Sequence, residues 1–123
     1  MSMTTMIERS AAVDRCIEAC QKCSSACNET VFYCLEMGGA HAEVEHIMLM
    51  QDCADHCDLS LKSLLRASNY VDQVCSLCAD VCEDCAESCD RFGDDPTMKG
   101  CANRCRSCTD ACREMLTAGR SEI

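Results

Sequence analysis

The stretch Cys16-Ile17-Glu18-Ala19-Cys20-Gln21-Lys22-Cys23-Ser24-Ser25-Ala26-Cys27 repeats cysteine at steps of four, three and four residues, and Cys34 follows one heptad later. Alternating threes and fours are the period of an α-helix, so the thiols fall on one side of it. At about 100° per residue, Cys16 to Cys34 occupy an arc of roughly 60°. The same spacing returns in Cys75, Cys78, Cys82, Cys85 and Cys89, within an arc of roughly 80°, and again in Cys101, Cys105, Cys108 and Cys112. Soluble helices normally place leucine at such positions. Here the seam that should form the core is made of thiols.

Working outward, the breaks between periodic segments are short. Gly38-Gly39 ends a first helix, expected over about residues 4 to 37. A second helix, about 41 to 67, ends near Ser68-Asn69, and a third, about 70 to 92, stops at Phe92-Gly93-Asp94-Asp95-Pro96. There Asp95 can cap, and Pro96 can occupy the first turn of a fourth helix running to about Ala118. Short connections imply antiparallel neighbours. The expected fold is all-α, an antiparallel up-down-up-down four-helix bundle with a Cys-lined core, and residues 1–123 read as a single metal-binding domain of that form.

The second helix carries only Cys53 and Cys57, but His46, Met50, Cys53 and Cys57 keep the 4-3-4 step, continued by Ser60 and Leu64. Antiparallel packing gives this gradient a direction. One pole should gather Cys34, Met37, His41, His46, Cys89, Met98 and Cys101; the other should gather Leu64, Leu65, Tyr70, Val71, Met115 and Leu116. The first is rich in soft and borderline ligands, and the second resembles an apolar plug.

Composition narrows the chemistry. Sixteen cysteines in 123 residues exceed the level that marks secreted disulfide scaffolds, but those are loop-rich, whereas this chain has one Pro, five Gly and long helical periods. The beginning, Met1 to Arg9, has no apolar run of signal-peptide length, and no stretch approaches the ~18 apolar residues of a membrane span. The expected address is therefore the cytoplasm, where thiols stay reduced, with no membrane partner. A net charge of −10, no basic run, two Tyr and two Phe argue against nucleic acid. The acidity reads as a solubilising surface with a weak attraction for cations.

Three readings of the seam compete. Cysteine as a small hydrophobe explains one or two buried thiols, not sixteen kept almost wholly on the seams. Thiol redox chemistry is suggested by the Cys-x-x-Cys pairs Cys20/Cys23, Cys75/Cys78, Cys82/Cys85 and Cys105/Cys108, but these sit mid-helix with no strand pattern beside them. Metal is the third. No pair is followed by His as haem attachment requires, and Fe–S and zinc sites draw their ligands from loops and turns around one centre. Soft thiolates select Cu(I) and also suit Zn(II). Charge separates the two: all-thiolate zinc sites would leave the core negative, whereas about one Cu(I) per Cys gives a neutral core. Sulfurs at i, i+3 and i, i+4 are near enough for one metal to sit between two of them.

A di-iron bundle is a competing possibility, because Glu43-Val44-Glu45-His46 matches Glu-x-x-His. Neither His41 nor His56 has a Glu three residues before it, so the match stands alone and reads as chance. Met37, Met50 and Met98 read first as gap fillers.

These residues resemble the cytosolic copper storage proteins, four-helix bundles whose Cys-lined interior holds many Cu(I) ions. The resemblance covers essentially the whole chain and rests on the seam Cys16-x3-Cys20-x2-Cys23-x3-Cys27 with its counterparts at Cys75–Cys89 and Cys101–Cys112. It implies a homo-oligomer, commonly a tetramer, and places His46 and His41 near a metal entrance. The sparse second helix departs from the pattern. The expected ligands are thus Cys16, Cys20, Cys23, Cys27, Cys34, Cys53, Cys57, Cys75, Cys78, Cys82, Cys85, Cys89, Cys101, Cys105, Cys108 and Cys112, with His46 and His41. The expected function is non-enzymatic copper storage or detoxification; the alternative is a thiol/disulfide redox protein, although no acid, base or nucleophile constellation emerges.

Overall fold

The computed structural model describes residues 9–118. Helix α1 spans Ala11–Met37, α2 Val44–Leu65, α3 Val71–Asp90 and α4 Pro96–Ala118. Helix α1 packs on α2 and α4, and α3 packs on the same two, which is the expected up-down-up-down bundle.

Local chemistry sets each boundary. Ser10 caps α1 by accepting the Val13 N–H at 3.2 Å, and Asp14 in the first turn complements the helix dipole. The helix therefore begins later than the periodicity suggested; Arg9 and Ser10 are not helical, and residues 4–8 lie outside the described residues. It ends where Gly38, at φ 70°, returns its N–H to the Cys34 carbonyl. The start expected for α2 at residue 41 is corrected, because Gly39–Ala42 form a separate 3-10 turn and Glu43 precedes the first α-helical residue.

At the other end of α2, Ser68 N–H bonds the Ser63 carbonyl and Ala67 N–H the Leu64 carbonyl. This double closure is a Schellman motif, and it ends the helix at Leu65 rather than 67, with Ala67 at φ 51°. Helix α3 is likewise shorter than expected, since Tyr70 and the turn through Arg91 and Phe92 lie outside it. Helix α4 starts as expected: Asp95 Oδ1 accepts the Thr97 and Met98 N–H groups at 3.0 and 3.3 Å, with Pro96 in the first position.

Polar ties fix neighbours laterally. Ser24 Oγ donates to Asp58 Oδ1 at 2.6 Å between α1 and α2, and Thr109 Oγ1 donates to the Ala79 carbonyl at 3.0 Å between α4 and α3. Surface pairs such as Arg15–Glu114 add little by comparison. Buried Ala54, Ala79, Ala86 and Ala102 flank the thiols and let the helices approach closely. Val13, Leu64, Val71 and Met115 fill one end of the core, while Leu65 and Tyr70, expected there, are exposed.

Candidate metal centre

All sixteen cysteines face the interior as free thiols, none more than 2% exposed. The 4-3-4 seams of four antiparallel helices meet in register, so their sulfurs stack in layers along one tube. Deepest lie Cys16, Cys75 and Cys112, with the Cys16 and Cys112 sulfurs 3.5 Å apart. The next layer joins Cys20 to Cys108 at 3.8 Å, Cys108 to Cys57 at 3.7 Å and Cys57 to Cys78 at 3.9 Å. Above it, Cys23 lies 3.7 Å from Cys53 and 3.8 Å from Cys105, and Cys53 lies 3.5 Å from Cys82.

The layers are not isolated. Cys57 Sγ is 3.6 Å from Cys82 Sγ, and Cys27 bridges 3.7 Å to Cys105 and 3.9 Å to Cys101. Cys101 in turn neighbours Cys85 and Cys89. Among the described residues, every group of three or more convergent ligand atoms within 4.8 Å is made wholly of cysteine. A soft ion can thus move from one sulfur to the next without leaving thiol contact.

Helix α2 departs from cysteine at its outer and inner seam positions. Toward one end it supplies Met50 and then His46, both buried; toward the other it supplies Ser60, fully buried, whose hydroxyl lies beside Cys75. His46 was within reach of the sequence argument because it keeps the cysteine step. Its Nε2 lies 3.6 Å from Cys34 Sγ, and its Nδ1 is hydrogen-bonded to Ser88 Oγ at 2.7 Å. Cys34 Sγ also lies 3.6 Å from Met98 Sδ, so thiol, thioether and imidazole converge at this mouth.

Burial shapes proton affinity here. It pushes the Cys34 thiol up to about 11, helped by nearby Cys101 and Asp95, so a metal must displace a proton to bind it. The Cys89 thiol is also raised, first by its hydrogen bond with Cys101. Burial lowers the basicity of His46, with Arg91 acting in the same direction, and keeps its imidazole neutral and able to ligate.

His41 takes a different place. Its Nε2–H donates to Asp95 Oδ2 at 3.1 Å, and its ring lies 4.1 Å, centroid to centroid, from Phe92. Tyr33 O–H donates to the same Oδ2 at 2.7 Å and holds the Asp95 carboxyl below the usual carboxylate range. The 3-10 turn is thereby latched to α1 and the start of α4 beside the mouth. Sequence reading missed Ser88, Tyr33, Phe92 and Asp95 in this role. Met37 is exposed and does not join the mouth, and His56 is half-buried outside the tube with Nδ1 against the Asp52 carbonyl at 2.7 Å. Glu43 is also exposed and 3.9 Å from Arg91, so the Glu-x-x-His match builds no carboxylate-bridged centre.

The family model for copper storage proteins matches residues 9–117, nearly the whole of the described bundle. The chain belongs to the copper storage protein family. Among solved structures similar to this family member is the Cu(I)-bound copper storage protein BsCsp3, 37% identical, with 85% of this chain and 98% of that chain covered at a TM-score of 0.79. A second, described as copper loading to a cytosolic copper storage protein from Streptomyces lividans (five coppers), is 35% identical, covering 88% of this chain and 93% of that one at a TM-score of 0.75. The uncharacterized cysteine-rich protein YhjQ of Bacillus subtilis (strain 168) is 40% identical over 68 residues. That match spans 55% of this chain and 63% of the relative's length.

Proposed function

We propose that this family member is a cytoplasmic, non-enzymatic store that takes up Cu(I) to about one ion per cysteine, with residues 1–123 acting as one metal-binding domain. The continuous stack of buried sulfurs, with neighbours at 3.5 to 4.0 Å, carries this reading. Each Cu(I) that binds displaces a thiol proton, and each thiolate can bridge two ions. One positive ion per thiolate leaves the filled tube neutral, which a buried site requires. Cys34, His46 and Met98 receive the ion at the mouth, and ligand exchange between adjacent sulfurs carries it inward. The apolar plug of Leu64, Val71 and Met115 closes the other end.

A cytosolic relative supports the address, and no helix of the described residues is long and apolar enough to cross a membrane. Non-enzymatic action is favoured because every convergent ligand group among the described residues is made wholly of cysteine. The thiol/disulfide redox alternative is disfavoured by burial, because exchange with a partner protein needs an accessible sulfur. Phe32 and Leu35 on α1 and Val44 and Met48 on α2 are exposed near the mouth end. This apolar surface supports a homo-oligomer, and the family resemblance supports a tetramer.

Anaerobic titration of the fully reduced protein with Cu(I), reading bound metal and remaining thiol together, tests the store. Thiol should disappear in step with copper until about one ion per cysteine is bound. Saturation at about one to four ions would instead leave a carrier or sensor. Light scattering on the reduced chain tests the oligomer, and a monomeric mass would overturn it.

A further inference from the structure

Among the convergent sulfur groups of the described residues, the deepest holds three sulfurs, one each from α1, α3 and α4, where the others hold four. Cys16, Cys75 and Cys112 place their sulfurs within 4.8 Å of one another and are fully buried. The α2 seam position at this level is Ser60, which lies beside Cys75. The Ser60 hydroxyl is itself fully buried, and it faces the Cys75 sulfur. We propose that Cys16, Cys75 and Cys112 form a trithiolate site for trivalent arsenic, taken up as arsenous acid, with Ser60 as the fourth wall.

Charge favours a trivalent centre. A single Cu(I) on three thiolates, before neighbouring sites fill, leaves two negative charges in a buried, apolar end of the core, whereas one As(III) on three thiolates sums to zero. Geometry favours it too. As(III) makes three bonds in a pyramid and keeps a lone pair on its fourth side. In a four-thiol group the fourth sulfur would crowd that side; here a smaller hydroxyl stands in its place.

Uptake is a ligand exchange without change of oxidation state. Arsenous acid, As(OH)3, reacts with three S–H groups. Three As–O bonds break and three As–S bonds form, and each thiol proton leaves with a hydroxide as water. The acid is small and uncharged, so it can follow the continuous sulfur path from the mouth. Once the sulfurs are bonded to arsenic they can only accept, and the Ser60 hydroxyl beside Cys75 can donate to that sulfur.

The test uses the full-length, reduced, metal-free chain titrated with sodium arsenite alone. Native mass spectrometry should find the first arsenic bound with loss of three protons, accompanied by near-ultraviolet arsenic–sulfur absorption. Cys75→Ser and Cys16→Ser each remove an arm that belongs to this trio and to none of the four-sulfur groups. Each should weaken the first equivalent at least about tenfold. His56→Ala, on the outer side of α2 and away from the tube, should leave it unchanged. Using two independent arms keeps the test decisive if one variant loses its helical circular dichroism. A first arsenic bound as tightly by both folded variants as by the parent, or with fewer than three protons lost, overturns the site. Copper titration of the same proteins is read separately: the arsenic site needs only reduced thiols, so failed copper storage would overturn that function and not this one.

Discussion

The Nε2 of His46 stands 3.6 Å from the sulfur of Cys34, and its ring is fixed there from behind by Ser88, 2.7 Å from Nδ1. When Nδ1–H is donated to the serine oxygen, the Nε2 lone pair faces the tube. Orienting partners of this kind typically matter by about 10- to 100-fold at metal ligands. Ser88→Ala should therefore slow Cu(I) loading about tenfold, and His46→Ala should slow it at least as much. Total capacity should barely change, because the sulfurs below are untouched. Stopped-flow loading checks this; parental rates in both variants would remove His46 from the mouth.

The acid limb of stability should also carry the signature of His46. Burial lowers its folded-state basicity below the ordinary value of 6.5. Above 6.5 the imidazole is neutral in both states and contributes no slope. As pH falls below that value the unfolded chain takes up the proton first, so the folded state loses stability. The Asp95 carboxyl is depressed from 3.8 and loses its contribution only as pH falls through that lower range. Urea melts of metal-free protein between these two ranges should show declining stability that His46→Gln flattens. An unchanged slope in the variant would assign the titration elsewhere.

The sequence showed the thiol tube and the bundle because one physical rule governs both: a buried seam must recur at helical spacing. The same rule caught His46 and Met50, which occupy seam positions without being cysteine. It failed where long-range contacts decide. Nothing periodic distinguishes the 3-10 turn at Gly39–Ala42 from the first turn of α2, and only the fold brings His41 to Asp95 across 54 residues of chain. Grouping both histidines at one pole was sound as topology. It could not reveal that one faces sulfur and the other a carboxylate.

That division predicts opposite kinetics for the two histidines. His41, Tyr33 and Asp95 tie the turn down beside the mouth, so cutting the tie should loosen the mouth. His41→Ala and Tyr33→Phe should each speed copper transfer to an external chelator severalfold and lower the urea midpoint of the metal-free protein, because each removes a hydrogen bond of the latch. His46→Ala should slow the same transfer. Release rates measured against one chelator decide, and slower release from His41→Ala would show that its imidazole carries metal instead of closing the turn.

The end of α2 offers a change that should raise stability. Ala67 occupies the left-handed position of the Schellman closure at φ 51°, where its Cβ crowds the backbone. Glycine relieves about 1–2 kcal/mol of that strain. It also returns about 0.4–1 kcal/mol of conformational freedom to the unfolded chain. The strain term is larger, so Ala67→Gly should stabilise the metal-free protein by about 0.5–1 kcal/mol. The Ser68 and Ala67 N–H bonds to Ser63 and Leu64 survive, since they use backbone alone. No seam residue moves, so copper capacity should equal that of the parent. Urea unfolding under reducing conditions reads the effect as a higher midpoint with an unchanged slope. A lower midpoint would mean that unfolded-state entropy outweighs the relieved strain at this turn.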